Sequence, residues 1–184
     1  MQDIWDRIDK WLEDNAPDIL SDLLSGATDE DIGSAEERIG VKFTDDVRAS
    51  YSIHNGQLGM ADPLLGEWQL LSLKDLQIQW NIMKKLFDEG EFANVQSKST
   101  SSVKADWWNI RWIPLAYNGA GDFYCLDMEP EIDSNIGQII SFWHMDEKRE
   151  KIADSFREWL GNYANDLENG KYVVQDDELI LAEE

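Results

Sequence analysis

Oxygen-bearing side chains alternate along one acidic stretch of the sequence, at Asp127, Glu129, Glu131, Asp133 and Asn135. Spacing of this kind is found in calcium-binding loops, where carboxylates reach the ion from every second position. The EF-hand pattern also needs glycine at its sixth position and glutamate at its twelfth, and the sequence has Ile132 and Gln138 there. The flanking segments have the pattern of strands rather than helices. We therefore interpret the stretch as an acidic hairpin loop, with a calcium site as the alternative.

Few other residues are capable of nucleophilic or metal chemistry. His54 and His144 are the only histidines, and Cys125 is the only cysteine. His54 lies at the expected end of a helix, His144 at the end of a predicted strand, and Cys125 inside an apolar strand. The zinc patterns HExxH and CxxC are absent, and so are G-x-S-x-G, Walker A and G-x-G-x-x-G. The sequence therefore predicts no catalytic residues, no enzymatic activity, no metal and no cofactor.

The glycine-rich segment Asn118-Gly-Ala-Gly-Asp122 joins two predicted strands and precedes no helix. It therefore lacks the helix N-terminus that a phosphate-binding loop uses. Asp122 and Asp127 are carboxylates that could act as a pair in acid–base catalysis. Among 38 Asp and Glu residues, however, such pairs arise by chance. We predict that Asp122 instead closes the turn with its side chain.

Several segments repeat apolar residues at helical spacing. The first predicted helix carries Ile4, Trp5, Ile8, Trp11 and Leu12, and the last carries Ile152, Phe156, Trp159, Leu160, Tyr163 and Leu167. A short helix after Pro17 should carry Leu23 and Leu24 and end at Gly26. Thr28, Thr44 and Ser72 are expected to cap three more, with Thr28 and Asp31 in a capping-box arrangement. The helix after Thr44 should end at His54-Asn55-Gly56.

Strand patterns occupy residues 68–71, 112–117, 123–128 and 138–144, with Val173 and Val174 as a short addition. Pro114 indicates an edge strand or a bulge. Helices, then antiparallel strands, then a helix predict an α+β fold in a single domain over residues 1–184. Residues 91–104 are polar and predict a mobile loop. Residues 175–184 read as an acidic tail.

Net charge is the strongest compositional feature, at −22. Both ends of the chain are acidic, since residues 1–50 contain fourteen acids against five bases and residues 129–184 contain fifteen against five. This charge argues against nucleic acid or an anionic membrane as partner and favours a basic protein, although solubility or a salt-adapted source would also explain it. We expect a cytoplasmic protein, because no signal peptide or membrane-length apolar run is apparent and a single cysteine suits a reducing compartment.

Nine tryptophans offer either a stacking platform or core, and their periodic spacing favours core for Trp5, Trp80, Trp143 and Trp159. Trp107 and Trp108 are adjacent, so only one of them can face the core if they lie on a strand. Acids in predicted loops are candidate contacts for a basic partner. The candidate partner-binding residues are Asp62, Glu67, Trp107, Trp108, Glu129, Glu131 and Asp133.

An ordered series of short motifs resembles the SUKH superfamily, which includes bacterial immunity proteins and a fungal regulator of cell-wall synthesis. The motifs are Gly26-Ala-Thr28 with Glu36 and Gly40, Phe43-Thr-Asp-Asp-Val-Arg48, Tyr51, His54-Asn55-Gly56, Trp112-Ile-Pro-Leu-Ala116, Gly121-Asp122-Phe-Tyr124, Leu126-Asp127, Gly137-Gln-Ile-Ile140, Trp143-His144, Ser155-Phe156 and Trp159-Leu160. They span nearly the whole chain. The family commonly has Leu-Pro where this sequence has Phe43-Thr44, which can still cap a helix.

The resemblance implies an α+β fold with a central, mostly antiparallel sheet packed by helices, and it implies no enzyme activity. Bacterial members typically bind and neutralise toxins, many of them nucleases, and an acidic inhibitor complements a basic nuclease groove. We therefore predict an immunity protein that binds a basic toxin domain. The alternative is a regulatory scaffold of the fungal kind, which the lack of a long low-complexity arm disfavours. The sequence does not indicate an oligomeric state.

Overall fold

The computed structural model describes residues 1–175 and 178–182. This part of the chain contains six helices and eleven strands. The helices are α1 (Gln2–Asn15), α2 (Pro17–Asp22), α3 (Asp29–Ile39), α4 (Asp45–Tyr51), α5 (Leu73–Asp88) and α6 (Phe156–Glu168). The strands are β1 (Leu23–Ser25), β2 (His54–Gln57), β3 (Gln69–Leu70), β4 (Lys98–Ser99), β5 (Trp112–Tyr117), β6 (Phe123–Asp127), β7 (Gln138–Phe142), β8 (Lys148–Arg149), β9 (Lys151–Ala153), β10 (Tyr172–Gln175) and β11 (Glu178–Leu181).

Three helices begin at side-chain caps. The hydroxyl of Thr28 accepts from the backbone N–H of Asp31 at 3.1 Å, and the Asp31 carboxylate accepts from the N–H of Thr28, which confirms the predicted capping box. The hydroxyls of Ser72 and Ser155 accept from the N–H groups of Asp75 and Glu158 and cap α5 and α6, whereas Thr44 precedes α4 without a side-chain cap bond. Gly40 ends α3 in the left-handed conformation at φ 76°, which glycine adopts without strain. Local hydrogen bonds of this kind explain why these boundaries follow from sequence.

The central sheet has the strand order β3-β5-β6-β7-β9, with every neighbouring pair antiparallel. Two small antiparallel pairs, β1–β2 and β10–β11, and one parallel pair, β4–β8, complete the strands. The predicted α+β fold with a mostly antiparallel sheet is therefore confirmed. Pro114 lies at a register shift between β5 and β6, so it occupies a bulge rather than an edge strand.

Three predicted helix boundaries are wrong. Leu23 and Leu24 lie in β1 rather than in a helix, and His54 starts β2, which pairs with β1. Gly26 permits this arrangement, because a Cβ there would lie 2.0 Å from the carbonyl oxygen of Ser52. Ile152 belongs to β9 because the helical hydrogen bonding of α6 starts only after the Ser155 cap.

Two predicted loop segments contain strands in the structure. Lys98 and Ser99 of the 91–104 segment pair with β8, and its mobility stays a prediction. Within residues 175–184, β11 pairs with β10 as a hairpin, and the remainder of the predicted acidic tail (176–177 and 183–184) lies outside the described residues. No helix in residues 1–175 or 178–182 is long and apolar enough to cross a membrane.

The core lies between the sheet and the helices, with α1 packed on α6 and α5 packed on β5 and α3. Trp5, Trp80 and Trp159 are buried as predicted. Trp143 is only partly buried, because it lies just beyond the end of β7 and packs edge-on against Trp68.

Glu36 is a buried carboxylate that joins α3 to α4. It accepts hydrogen bonds from Lys42 and Arg48, both at 2.8 Å, and from the backbone N–H of Phe43 at 2.9 Å. Burial alone would raise the pKa of Glu36, but these three bonds outweigh it and lower the pKa below its ordinary value. The ionised side chain is therefore part of the folded structure.

Replacing Glu36 with glutamine should lower the free energy of unfolding by about 1–3 kcal/mol near neutral pH, since charge-assisted bonds in a buried site are lost. Because the folded-state pKa lies below the unfolded one, the contribution of Glu36 is present above the unfolded value and is lost as pH falls through the folded value. The difference between wild type and variant should therefore shrink between about pH 5 and pH 3.

Urea denaturation of both proteins across this pH range measures that difference. Glu37→Gln is the matched control, since Glu37 is exposed, and no salt bridge involving it occurs among the described residues. A difference that stays constant with pH would contradict the role given to the ionised Glu36.

Candidate functional site

A groove of about 670 Å³ lies between α6, residues 62–68 and the β10–β11 hairpin, over the face of the sheet that carries Tyr124. Five aromatic side chains from four parts of the chain line it: Trp68, Tyr124, Trp159, Tyr163 and Tyr172. A concavity of this size and composition is typical of a binding site.

Helical spacing places two of these rings together, since Trp159 and Tyr163 lie four residues apart on one face of α6. The rings contact one another in two groups. Tyr124 lies 4.3 Å from Trp68 and 5.7 Å from Trp159, measured between ring centroids, and Tyr163 lies 5.3 Å from Tyr172. The floor of the groove is therefore a packed set of rings rather than a group of independent side chains.

The segment that forms one wall of the groove has little regular secondary structure but is fixed by buried polar groups. The side-chain oxygen of Gln57 accepts from the N–H of Leu64 at 2.8 Å, and its amide donates to Asp22 at 3.2 Å. Asp22 also accepts from the backbone N–H groups of residues 59–60, both at 2.9 Å. The hydroxyl of Tyr163 donates to the carbonyl of Leu64. These bonds tie the segment to α2, β2 and α6.

Negative charge surrounds the opening. Four carboxylates line the groove: Asp62, Glu67, Asp166 and Glu178. No lysine or arginine of the described residues lines it. Asp166 pairs with Lys171 at 2.7 Å, and the structure of the described residues shows no salt bridge to the other three.

Burial and nearby carboxylates raise the pKa values of two phenols in the floor. Burial and, to a smaller extent, the charge of Glu67 raise the pKa of Tyr124. Burial and then the charge of Asp166 raise the pKa of Tyr172. Both phenols therefore stay neutral near neutral pH, and the negative charge of the groove comes from its acids.

Asp62 and Glu67, two of the predicted partner-binding residues, line this groove. The predicted acidic loop does not. Glu129 pairs with Lys104 at 3.0 Å and accepts from the amide of Asn109 at 3.0 Å, so much of its charge is compensated. Glu131 and Asp133 are exposed in the loop between β6 and β7. The seven candidates therefore do not form one surface.

Asp127 fixes the base of that loop. Its buried carboxylate accepts from the N–H of Glu129 at 3.0 Å and from the amide of Gln138 at 2.9 Å, and burial raises its pKa. Among the described residues, no group of three His, Cys, Asp or Glu side chains is placed to hold a metal ion. The geometry of the loop thus has a structural explanation in its hydrogen bonds.

The tryptophan pair divides between core and surface. Trp108 is 1% exposed, so its side chain belongs to the core. Its ring packs edge-on against Trp112 and Phe142, at centroid distances of 5.9 and 5.1 Å. Trp107 is partly exposed and lies over the guanidinium of Arg149 at 4.7 Å, so it is the member of the pair that reaches the surface.

The other chemistry-bearing residues have structural roles. Asp122 accepts from the backbone and the ring of His144, both at 2.8 Å, and from Asn118 at 2.7 Å, which confirms that it closes the turn. Asp122 and Asp127 lie at opposite ends of β6, roughly 16 Å apart by strand geometry, so they are not a catalytic pair. Cys125 is fully buried, and burial raises its pKa well above the ordinary value. His54 pairs with Asp9 at 3.0 Å.

Sequence reasoning did not find the aromatic floor. One signal was available, since on α6 the pair Trp159 and Tyr163 runs beside the polar pair Asn162 and Asp166 at the same four-residue spacing. Apolar and polar pairs side by side are typical of a helix at the edge of a cleft. Tyr172 and Trp68 gave no such signal, because only the tertiary fold brings them to α6.

The α+β fold and the aromatic groove define a domain with a preformed binding concavity. The chain belongs to the SMI1 / KNR4 family (SUKH-1), whose model matches residues 26–162. The SUKH resemblance of the sequence is therefore confirmed.

Three curated relatives illustrate the family. The chain is 30% identical over 188 residues to the "Cell wall biosynthesis/cell cycle regulator smi1" of Schizosaccharomyces pombe, covering 95% of this chain and 37% of the relative. It is 28% identical over 209 residues to the "Cell wall assembly regulator SMI1" of Saccharomyces cerevisiae, covering 94% and 41%, and 25% identical over 209 residues to the "Glucan synthesis regulatory protein" of Neurospora crassa, covering 94% and 39%. The chain thus spans about two fifths of the length of these relatives. Their names favour the regulator alternative over the immunity-protein prediction, for which these comparisons give no support.

Proposed function

We propose that this chain is a non-catalytic protein-binding domain of a regulatory protein, and that it holds its partner in the aromatic groove. The observation that carries the proposal is the groove itself, a preformed concavity of about 670 Å³ with five aromatic rings in its lining. Aromatic side chains supply large contact areas with few rotatable bonds and are enriched in the residues that dominate binding energy.

The names of the relatives support the regulatory part of this proposal. They are named as regulators of cell-wall or glucan synthesis, and we propose the regulation of such a process for the protein that contains this chain. Under this proposal the chain contributes to regulation by holding a partner, and the groove offers the surface for it. Its wall at residues 62–68 is already fixed, because the N–H of Leu64 donates to Gln57 and Gln57 donates to Asp22, so little ordering is needed on binding.

Filling the groove should weaken partner binding. Asn162 is exposed at the opening, and Asn162→Trp would place an indole there. Peptides selected by the wild-type protein from a displayed random library should bind this variant at least about tenfold more weakly, a change of about 1.4 kcal/mol. Titration calorimetry with the selected peptides measures the loss.

Asn165→Trp is the matched control, because Asn165 lies on the same helix and is exposed but does not line the groove. It should bind the selected peptides as the wild type does. Equal affinity for wild type and Asn162→Trp would contradict the proposal.

Neutralisation of a basic toxin is the second candidate function, favoured by the net charge of −22 and by the exposed carboxylates of Glu131 and Asp133. Under that function, reversing Glu129, Glu131 and Asp133 to lysine together should slow association with a toxin encoded beside the gene. Asn162→Trp would leave that association unchanged if the loop alone forms the contact. The two variants therefore separate the two functions.

A further inference from the structure

We infer that the occupant of the groove is an extended segment of a partner protein that carries lysine or arginine beside an apolar side chain. The inference rests on the proposed function and names the class of partner. It follows from two properties of the lining that are independent of each other, the chemistry of the floor and the charge around the opening.

The floor provides aromatic faces for an apolar side chain and for a cation. Tyr124 and Tyr172 are only partly buried, so their rings remain accessible from the opening. The protein shows elsewhere how its rings hold a guanidinium, since that of Arg149 lies 4.3 Å from the ring of Phe142 and 4.7 Å from that of Trp107. A cation against an aromatic face is favourable, and arginine is the side chain that stacks best.

The opening provides the opposite charge. Asp62, Glu67 and Glu178 line the groove, no salt bridge to them occurs within the described residues, and no basic side chain of those residues joins them. Three uncompensated carboxylates around one concavity repel each other, and a bound cation relieves that repulsion. An acidic or neutral segment would leave the repulsion in place, so the lining discriminates against it.

The geometry favours an extended segment over a folded surface. The groove is open to solvent, and α6, the 62–68 segment and the β10–β11 hairpin line it. The hairpin packs against the 62–68 segment at Gly66, where a Cβ would lie 3.1 Å from the ring of Tyr172. An extended peptide can place one side chain on the aromatic floor and the next beside the carboxylates of the lining. Such a peptide contacts both the apolar and the charged residues of the groove. Alternating side chains of an extended peptide have this property.

A charge-neutralising pair of substitutions tests the inference. Asp62→Asn with Glu67→Gln keeps side-chain size and removes two carboxylates of the rim. The matched control is Asp18→Asn with Glu37→Gln, two exposed acids outside the groove whose removal changes net charge equally. Dodecapeptides selected from a random displayed library on the wild type should be enriched in lysine and arginine. They should bind the rim variant about tenfold more weakly and the control variant unchanged. Thermal melts should show that all three proteins are folded.

The outcomes distinguish failure of the inference from failure of the proposed function. If Asn162→Trp weakens binding, but selected peptides lack basic residues and bind the rim variant normally, the groove is a binding site with another kind of occupant and the inference is overturned. If neither variant changes binding, or no peptide is selected, the proposed function fails with it. A wild-type dimer that Asn162→Trp converts to a monomer would identify a second copy of the chain as occupant, which also overturns the inference.

Discussion

Replacing Trp108 with alanine should lower the free energy of unfolding by about 3–5 kcal/mol, the range for a large aromatic side chain removed from a core. The ring is 1% exposed and lies edge-on to Phe123 as well as to Trp112 and Phe142. Its indole N–H has no hydrogen-bond partner among the described residues, so its contribution comes from packing alone. The cavity left behind lies against the middle of the sheet, where the surrounding strands have little freedom to collapse.

Chemical denaturation of the variant measures this loss, and Trp107→Ala is the matched control. Trp107 is partly exposed, so its removal should cost less, about 1–2 kcal/mol including its contact with the guanidinium of Arg149. Trp108→Phe should also be mild, because it retains an edge-on ring and removes an unpaired N–H. Equal losses for Trp107→Ala and Trp108→Ala would refute the assignment of the two rings to surface and core.

Replacing Arg149 with alanine should also cost about 3–5 kcal/mol, by leaving buried acceptors without donors. The side chain is fully buried, and its guanidinium donates to the carbonyls of Trp107, Trp143, Asp146 and Lys148. No carboxylate pairs with it in the described residues, so backbone carbonyls and two aromatic faces solvate the charge. Burial lowers the pKa of Arg149 to about 10, which still leaves it charged at neutral pH.

The lysine variant separates charge from geometry. A lysine ammonium retains the positive charge. It has only three N–H donors and cannot donate to all four carbonyls, as the planar guanidinium does. Arg149→Lys should therefore lose about half as much stability as Arg149→Ala in the same denaturation experiment. A lysine variant as stable as the wild type would show that the positive charge, rather than the geometry of the guanidinium, accounts for the stabilisation.

The helices were predictable because their signals are local. The bonds between Thr28 and Asp31 join residues three apart, and the apolar face of α1 repeats within one helix length. The β1–β2 pair was not predictable in this way. It joins Leu23 to Gln57 across 34 positions, and the segment before Gly26 has an apolar pattern that suits either a helix or a strand.

The groove was predictable only in part. Asp62 and Glu67 were predicted as candidate partner contacts, and the structure places both in the lining of the groove. The groove that these two acids line is completed by aromatic residues that lie about 100 positions later in the chain. A sequence pattern predicts that an acid lies in a loop. It does not predict which concavity the acid lines, because only the fold brings the distant segments together.

The order of the groove along the chain has a consequence for dissecting the protein. The family match ends at residue 162, inside α6, whereas Tyr163, Tyr172 and the whole β10–β11 hairpin follow it. The three curated relatives match 94–95% of this chain, so their similarity continues past that residue. All five strands of the central sheet precede residue 162, but α6 buries Tyr163, Ala164 and Leu167 beyond it. A fragment ended at residue 162 would therefore lose part of the helix packing together with one side of the groove.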